Sequence, residues 1–350
     1  MSFENGLIDL RSDTVTHPTP AMREAMSRAE VGDDVFGDDP TVIRLQEMAA
    51  ALTGHAAGLF VASGTMANLV ALLAHAQRGA EVIVGDKSHI YLNEVGGMAA
   101  LGGMQACPVP NQPDGTLRLE DVEASVRTED VHHPRTRLVC LENTQNICGG
   151  VALLPEYTRR VAEFAHTHGL KLHVDGARLF NAAVAQGVEA EALAGLADSV
   201  MFCLSKSLCA PVGSVLCGPE DFIAEARRYR KMVGGGMRQA GIIAAAGVVA
   251  LESMIERLDD DHAHARLLAD GLRNILEIEL DANTPQTNMV YFNLAPGAKL
   301  TAAEVAERMR PRRIILDWEG PRRFRLVTHY WITPKDIEKV VAAFREVLRG

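Results

Sequence analysis

Short apolar runs alternate with longer mixed stretches through the first two thirds of the chain. The runs Leu59–Ala62, Glu81–Val84, Arg137–Leu141, Leu170–Val174, Ser199–Leu204 and Ser214–Cys217 have the length of strands. The segments Met66–Gln77, Glu120–Val126, Pro155–His168 and Arg178–Gln186 between them read as helices. Asp39-Pro40 is an N-cap followed by proline at the first helical position, and Gly54 closes that helix after about Leu52. Strand–helix alternation of this kind predicts an α/β fold, a mostly parallel sheet covered by helices on both faces. Ligands of such sheets bind beyond the carboxyl ends of the strands.

The pattern changes after about Leu251. A long charged helix is predicted from Glu252 to about Ile275, then a strand over Met289–Leu294 and a helix over Ala302–Met309. Two strands near Ile314–Trp318 and Phe324–Val327 and a last helix, Pro334–Leu348, complete a smaller α+β domain. The predicted organisation is an N-terminal segment 1–40, a large domain 41–251 and a small domain 252–350. The apolar run from Ala240 to Leu251 is too short to cross a membrane and fits a buried helix.

Composition narrows this picture. With 350 residues and 47% hydrophobic content, the chain can bury one large core and a second, smaller one. The net charge is −10, with no basic cluster of the kind that binds nucleic acid. The opening MSFENGLIDLRSD lacks the basic start and apolar stretch of a signal peptide. Six cysteines without a Cys-x-x-Cys pair predict a reduced, cytoplasmic protein and disfavour zinc. His166 and His168, two apart on one helix, read as surface residues and not as a metal pair.

The chemistry collects at strand ends. Asp175 ends one apolar run in HVDGAR, and Lys206 follows the next in SVMFCLSKSL. A pyridoxal 5'-phosphate enzyme needs such a pair: the lysine forms a Schiff base with the cofactor, and the acid keeps the pyridine nitrogen protonated. Ser63-Gly64-Thr65 leads from a strand into a helix, so it is either an ordinary helix cap or a phosphate cup. His89 follows a strand end, as a polar loop residue or as a ring lying over a flat cofactor. His173 shares a strand face with Asp175, either to orient the acid or as a buried structural histidine. Gly234-Gly235-Gly236 lies beside Lys231 and Arg238, as a helix connection or as an anion contact. Arg325, on a strand of the small domain, is a surface arginine or a clamp for a carboxylate. The acidic run GDDVFGDDP lacks EF-hand spacing and reads as turns and helix starts, and no metal site is predicted.

Together, LRSDTVT (10–16), VGDDVFGDDPTV (31–42), SGTMANLVAL (63–72), HVDGARLFNA (173–182), CLSKSLCAPVGS (203–214), RKMVGGGMRQAGIIAAAG (230–247) and RLVTH (325–329) resemble the L-threonine aldolases. These are fold-type I pyridoxal phosphate enzymes, and the resemblance covers nearly the whole chain. It implies Lys206 as the Schiff-base lysine, Asp175 as the pyridinium partner and Arg178 near the ring oxygen. It implies Ser63, Gly64 and Thr65 as the phosphate cup and His89 as the stacking histidine. Ser12 and Arg325 resemble the groups that hold the substrate carboxylate, with Arg178 close by. His132, in DVHHPRTR, falls at the family's second active-site histidine. Lys231 and Arg238 resemble groups offered by a neighbouring subunit, which implies a dimer with shared sites, commonly within a tetramer. On this reading segment 1–40 packs on the small domain and on the partner subunit.

Two positions depart from the family pattern: Gln145 stands where ENTHN has histidine, and Ser207 where SKG has glycine. Gln145 cannot act as acid or base near neutral pH, and Ser207 adds a side chain next to the lysine. The implied reaction is retro-aldol cleavage of L-threonine, L-allo-threonine and related β-hydroxy-α-amino acids. His89, His132 or a water between them is the base. The rival readings are a β-eliminating lyase, a serine hydroxymethyltransferase-like activity, or a non-catalytic protein on the same fold.

Overall fold

The computed structural model describes residues 6–282 and 284–349. The chain forms two compact units, one spanning Pro18–Ile255 and one joining residues up to His17 with those from Glu256 onward. The first strand, β1 (Ile8–Asp9), belongs to the second of these.

The larger unit is built on seven strands: β2 (Ala57–Val61), β3 (Glu81–Gly85), β4 (Gln105–Val109), β5 (Thr136–Glu142), β6 (Lys171–Asp175), β7 (Ser199–Cys203) and β8 (Ser214–Gly218). Their order is β2-β8-β7-β6-β5-β3-β4, and only β8 runs against its neighbours. All six strands expected of this region form within a few residues of their predicted bounds. The sequence reading missed β4, an edge strand paired only with β3. Its Pro108 cannot donate to a ladder, which an edge tolerates and a central strand does not. Leu59, Val61, Met201 and Leu216 pack with Ala67 and Val70 of the helix Gly64–His75 to make one core. Val82, Val84, Leu138 and Cys140 form the next core along the sheet. Burying each valine, leucine or methionine among these is worth about 1.5–3 kcal/mol.

Local signals work as the sequence suggests. Asp39 Oδ1 accepts from the backbone N–H of Thr41 and Val42 at 3.1 and 3.0 Å, and Gly54 closes the helix Pro40–Thr53 at φ 69°. The other Asp39 oxygen accepts from Gly241 N at 2.8 Å, at the start of the buried helix Gly241–Ser253. Gly247 on that helix has no room for a Cβ, which would lie 2.9 Å from Leu204. Asp33 turns the preceding loop by accepting from Val35 N, so the acidic run does serve as turn and helix start.

Two boundaries differ from expectation. The predicted helices Ala240–Leu251 and Glu252–Ile275 form as Gly241–Ser253 and Leu258–Arg273, the second starting six residues later than expected, and the unit boundary falls in the break between them at Ile255/Glu256. No glycine or proline marks that break; the signal is the acidic first turn, Asp259, Asp260 and Asp261, which suits a helix N-terminus. Residues 18–40 belong to the larger unit, where the helix Pro20–Ser27 packs on Gly241–Ser253.

In the smaller unit, β9 (Ile278–Leu280), β10 (Met289–Leu294), β11 (Ile314–Ile315), β12 (Asp317–Glu319) and β13 (Arg323–Val327) follow in turn. Four of them form an antiparallel sheet, β12-β13-β10-β9, while β11 pairs in parallel with β1. Phe292 and Phe324 stack at 5.0 Å, and Phe344 of the helix Pro334–Arg349 meets Phe292 edge-on. This is the expected α+β domain.

Candidate active site

The carboxyl ends of β5, β6 and β7 gather the chemistry. Asp175, the last residue of β6 and 2% exposed, is paired in register with Glu142, the last residue of β5. Ala177 N donates to Asp175 Oδ1 at 3.1 Å, and Asn68 Nδ2 donates to Oδ2 at 2.8 Å. The same Asn68 amide donates to Glu94 Oε1 at 2.8 Å, and His89 Nδ1 meets that oxygen at 3.0 Å. The backbone N–H of His89 and of Asn146 donate to the two oxygens of Glu142. Three buried carboxylates are thus held at one edge by an amide, an imidazole and backbone donors.

Their charges compete. Burial pushes Glu142 up to about 7, and the Asp175 charge adds to the effect. Burial also raises Glu94, whose hydrogen bond in turn raises His89 above the usual imidazole range. The His89–Glu94 pair therefore keeps a proton to higher pH than isolated groups would. Ligand atoms of His89, Glu94 and Asp175 lie within 4.8 Å of one another. The Asn68 NH2 group donates to both Glu94 and Asp175, so hydrogen bonding accounts for this grouping.

His173 acts on Asp175 through an intermediary. Its Nε2 lies 3.1 Å from Asn68 Oδ1, which orients the amide so that it faces the acids. Burial drives the His173 pKa down to about 3, so the ring is neutral. Asn68 escaped the sequence reading. Its signal was a single amide amid the apolar residues Ala67, Leu69, Val70 and Ala71, where an unpaired polar group would be costly.

Lys206 is half-buried three residues beyond β7, beside the buried Ser207. Arg178, also buried, caps the helix Leu179–Gln186 after β6. Arg178, Asn181, Lys206 and Ser207 line one small cavity, so the added Ser207 side chain does stand at the lysine. Ser63 Oγ accepts from Met66 N at 3.2 Å and caps the helix Gly64–His75. At Gly64 a Cβ would lie 2.9 Å from Cys203 Sγ, so glycine lets this helix start approach β7 closely. Ser63 and Thr65 are exposed, and the first N–H groups of a helix have no intrahelical partner and attract anions. Acid, lysine and anion-binding helix start together fit a phosphorylated pyridine aldehyde.

Other predicted residues lie elsewhere. His132 precedes β5 and is bound to Asp130 at 2.8 Å, its side chain 84% exposed. The length of β5 separates it from Glu142 by roughly 20 Å, so the chain does not bring His132 to its own Asp175. Arg238 pairs with Asp33 at 2.9 Å, and Lys231 is exposed at the end of the helix Glu220–Met232. The neighbouring Arg230 is buried between Asp34 and the Phe60 carbonyl, a structural brace. Ser12 and Arg325 belong to the smaller unit, where Ser12 caps the turn Asp13–Val15. Arg325 contacts the Arg11 carbonyl and Asp317. Gln145 is fully buried, donates to the Lys87 carbonyl and accepts from Cys148 N, so both ends of its amide brace loops.

An α/β sheet with an acid and a lysine beyond adjacent strand ends suits an enzyme of the pyridoxal phosphate class. Residues 9–295 match the beta-eliminating lyase family, and the chain belongs to it. The chain is 47% identical over 346 residues to a probable low-specificity L-threonine aldolase 2 of Arabidopsis thaliana, covering 98% of each chain. It is likewise 47% identical over 342 residues to the low specificity L-threonine aldolase of Escherichia coli K12, covering 98% of this chain and 99% of that one. Among solved structures, a threonine aldolase of Leishmania major superposes with a TM-score of 0.83, covering 97% of this chain and 99% of the other. At 22% identity that likeness establishes the fold.

Proposed function

We propose that this protein is a pyridoxal 5'-phosphate-dependent aldehyde-lyase. It cleaves L-threonine, L-allo-threonine and related β-hydroxy-α-amino acids to glycine and an aldehyde. The observation that carries this reading is the placement of Asp175 and Lys206 at adjacent strand ends, in a chain 47% identical from end to end to low-specificity threonine aldolases. The bound cofactor supplies an electron sink for the carbanion left at the substrate α-carbon. Lys206 would hold its aldehyde carbon and Asp175 its ring nitrogen. Arg178 would sit near the ring oxygen, and Ser63, Gly64 and Thr65 would hold the phosphate. Asn68 and the Ala177 N–H fix the Asp175 carboxylate, so it is set before substrate arrives.

In the cleavage itself, the β-hydroxyl proton leaves to a base and the Cα–Cβ bond breaks, releasing the aldehyde. A proton then returns to Cα and gives glycine. The candidates for the base are His89 (which lies against Glu94), His132, or a water between them. Ser12 and Arg325 are assigned the substrate carboxylate on the resemblance alone. Lys231, Arg238 and the remote His132 fit a dimer with shared sites, within a tetramer. The cysteines are unpaired, which suits the cytoplasm, and no described helix is long and apolar enough to cross a membrane.

Incubating the purified holoenzyme with each threonine stereoisomer tests the reading. Equal amounts of acetaldehyde and glycine from the two L isomers are expected. Pyruvate and ammonia would instead mark a β-eliminating lyase, and folate-dependent turnover a hydroxymethyl transferase.

A further inference from the structure

The opposite edge of the same sheet holds a cavity of about 550 Å³ at the amino ends of β3, β5 and β6. His75, Arg78, His133, Arg135, Arg137 and Lys171 line it, and no acidic residue does. In a chain of net charge −10 this is a local reversal of sign. Arg135 is engaged by Glu129 and Lys171 by Asp198, whereas Arg78 and Arg137 form no ion pair among the described residues. The volume suits a small-molecule ligand, and forked guanidinium groups recognise phosphoryl and carboxylate oxygens.

One wall of this cavity is connected to the candidate active site. His75 Nε2 lies 2.7 Å from Ser199 Oγ, which lies 2.8 Å from His173 Nδ1. His173 Nε2 then reaches Asn68 Oδ1, and Asn68 reaches Asp175. The polarity of this chain follows from its last member. Asn68 Nδ2 donates to both acids, so its Oδ1 accepts and His173 Nε2 carries hydrogen. The neutral His173 ring then presents a bare Nδ1, so the Ser199 hydroxyl donates to it and accepts from His75 Nε2–H. Every donor points toward Asp175. The Asn68 amide does not relay a proton, so the chain transmits polarisation, which grows cooperatively along aligned hydrogen bonds. Phe222 stacks on His75 at 4.3 Å and holds the ring in place.

We propose that this pocket binds a compact, multiply charged anion, phosphoryl or polycarboxylate, and that His75 on its wall transmits the occupant's charge to Asp175. An anion beside His75 favours a more positive ring and so a stronger donor to Ser199. Calorimetric titration of the holoenzyme at fixed ionic strength, with inorganic pyrophosphate and separately with citrate, tests the binding. At least one is expected to bind with a Kd below about 1 mM, and the tighter of the two identifies the ligand chemistry. Arg78→Ala/Arg137→Ala removes two exposed side chains, keeps the unliganded turnover and weakens binding at least about tenfold. Absence of saturable binding, or equal affinity in the double variant, overturns the site. The saturating anion is also expected to shift the visible cofactor band of the parent protein and not of the double variant. Binding without that shift overturns the His75 connection. The band readout rests on the lyase reading, whereas the calorimetry does not, so failure of one is distinguishable from failure of the other.

Discussion

The two edges of the seven-stranded sheet share the same strands and carry opposite chemistry. At the carboxyl edge, Glu94, Glu142 and Asp175 are buried, and burial raises the first two above the usual carboxylate range. At the amino edge, Arg78, Arg135, Arg137 and His132 are exposed to water. Burial makes the difference. A charge at the amino edge is screened and costs little, whereas each charge at the carboxyl edge must be matched by a placed donor. Asn68, His89 and the N–H groups of Ala177 and Asn146 are those donors. The buried, donor-matched cluster is assembled at the carboxyl edge, whereas the amino edge offers exposed cations.

Substitutions can break this contrast. Lys206→Ala is expected to abolish aldehyde release and the visible cofactor band together, and a variant with normal turnover would remove the lysine from the reaction. Asp175→Asn should fold and bind cofactor yet cleave about 10²–10³ more slowly, the usual loss when a preorganised charge partner goes. Asn68→Ala leaves both acids without their shared donor. Its turnover is expected to fall about 10–100-fold, the range for supporting partners of site residues. His89→Ala should lower turnover by at least about tenfold, while His132→Ala should have less effect in any form of the enzyme confined to a single subunit's residues. An equal loss from His132→Ala in the native assembly would show that a neighbouring subunit brings the amino edge of one chain to the carboxyl edge of another.

The smallest effect concerns stability. The folded pKa of His173, about 3, lies below its ordinary 6.5, so its contribution is present above pH 6.5 and is lost as pH falls from there toward about 3. His173→Gln removes that linkage. Denaturant unfolding of the apoprotein at a series of pH values should then show a slope below pH 6.5 shallower by up to about 1.4 kcal/mol per pH unit. An unchanged slope would mean that His173 is not held neutral.

The sheet was legible in the sequence because its central strands are continuous apolar runs. The edge strand β4, with Pro108, was not, and the break after the helix Gly241–Ser253 was read a few residues early because no glycine or proline marks it. Asp175 and Lys206 were legible because both directly follow such runs. Asn68 was hidden because an amide inside an apolar helix declares that it has a partner without naming it. His132 was placed by motif register, yet it precedes β5, and the rule that ligands bind beyond carboxyl ends already set it apart from the other site residues. His173 was read either as orienting the acid or as a buried structural histidine; the intervening Asn68 depends on packing between a helix and a strand that are about a hundred residues apart in sequence.

The central claim is that Lys206 anchors the cofactor at the carboxyl edge beside Asp175. Borohydride reduction of the yellow holoenzyme, followed by peptide mass mapping, tests it most directly. The account predicts the cofactor's mass on the peptide containing Lys206. A label on another lysine, or none on a protein with full lyase activity, would contradict it.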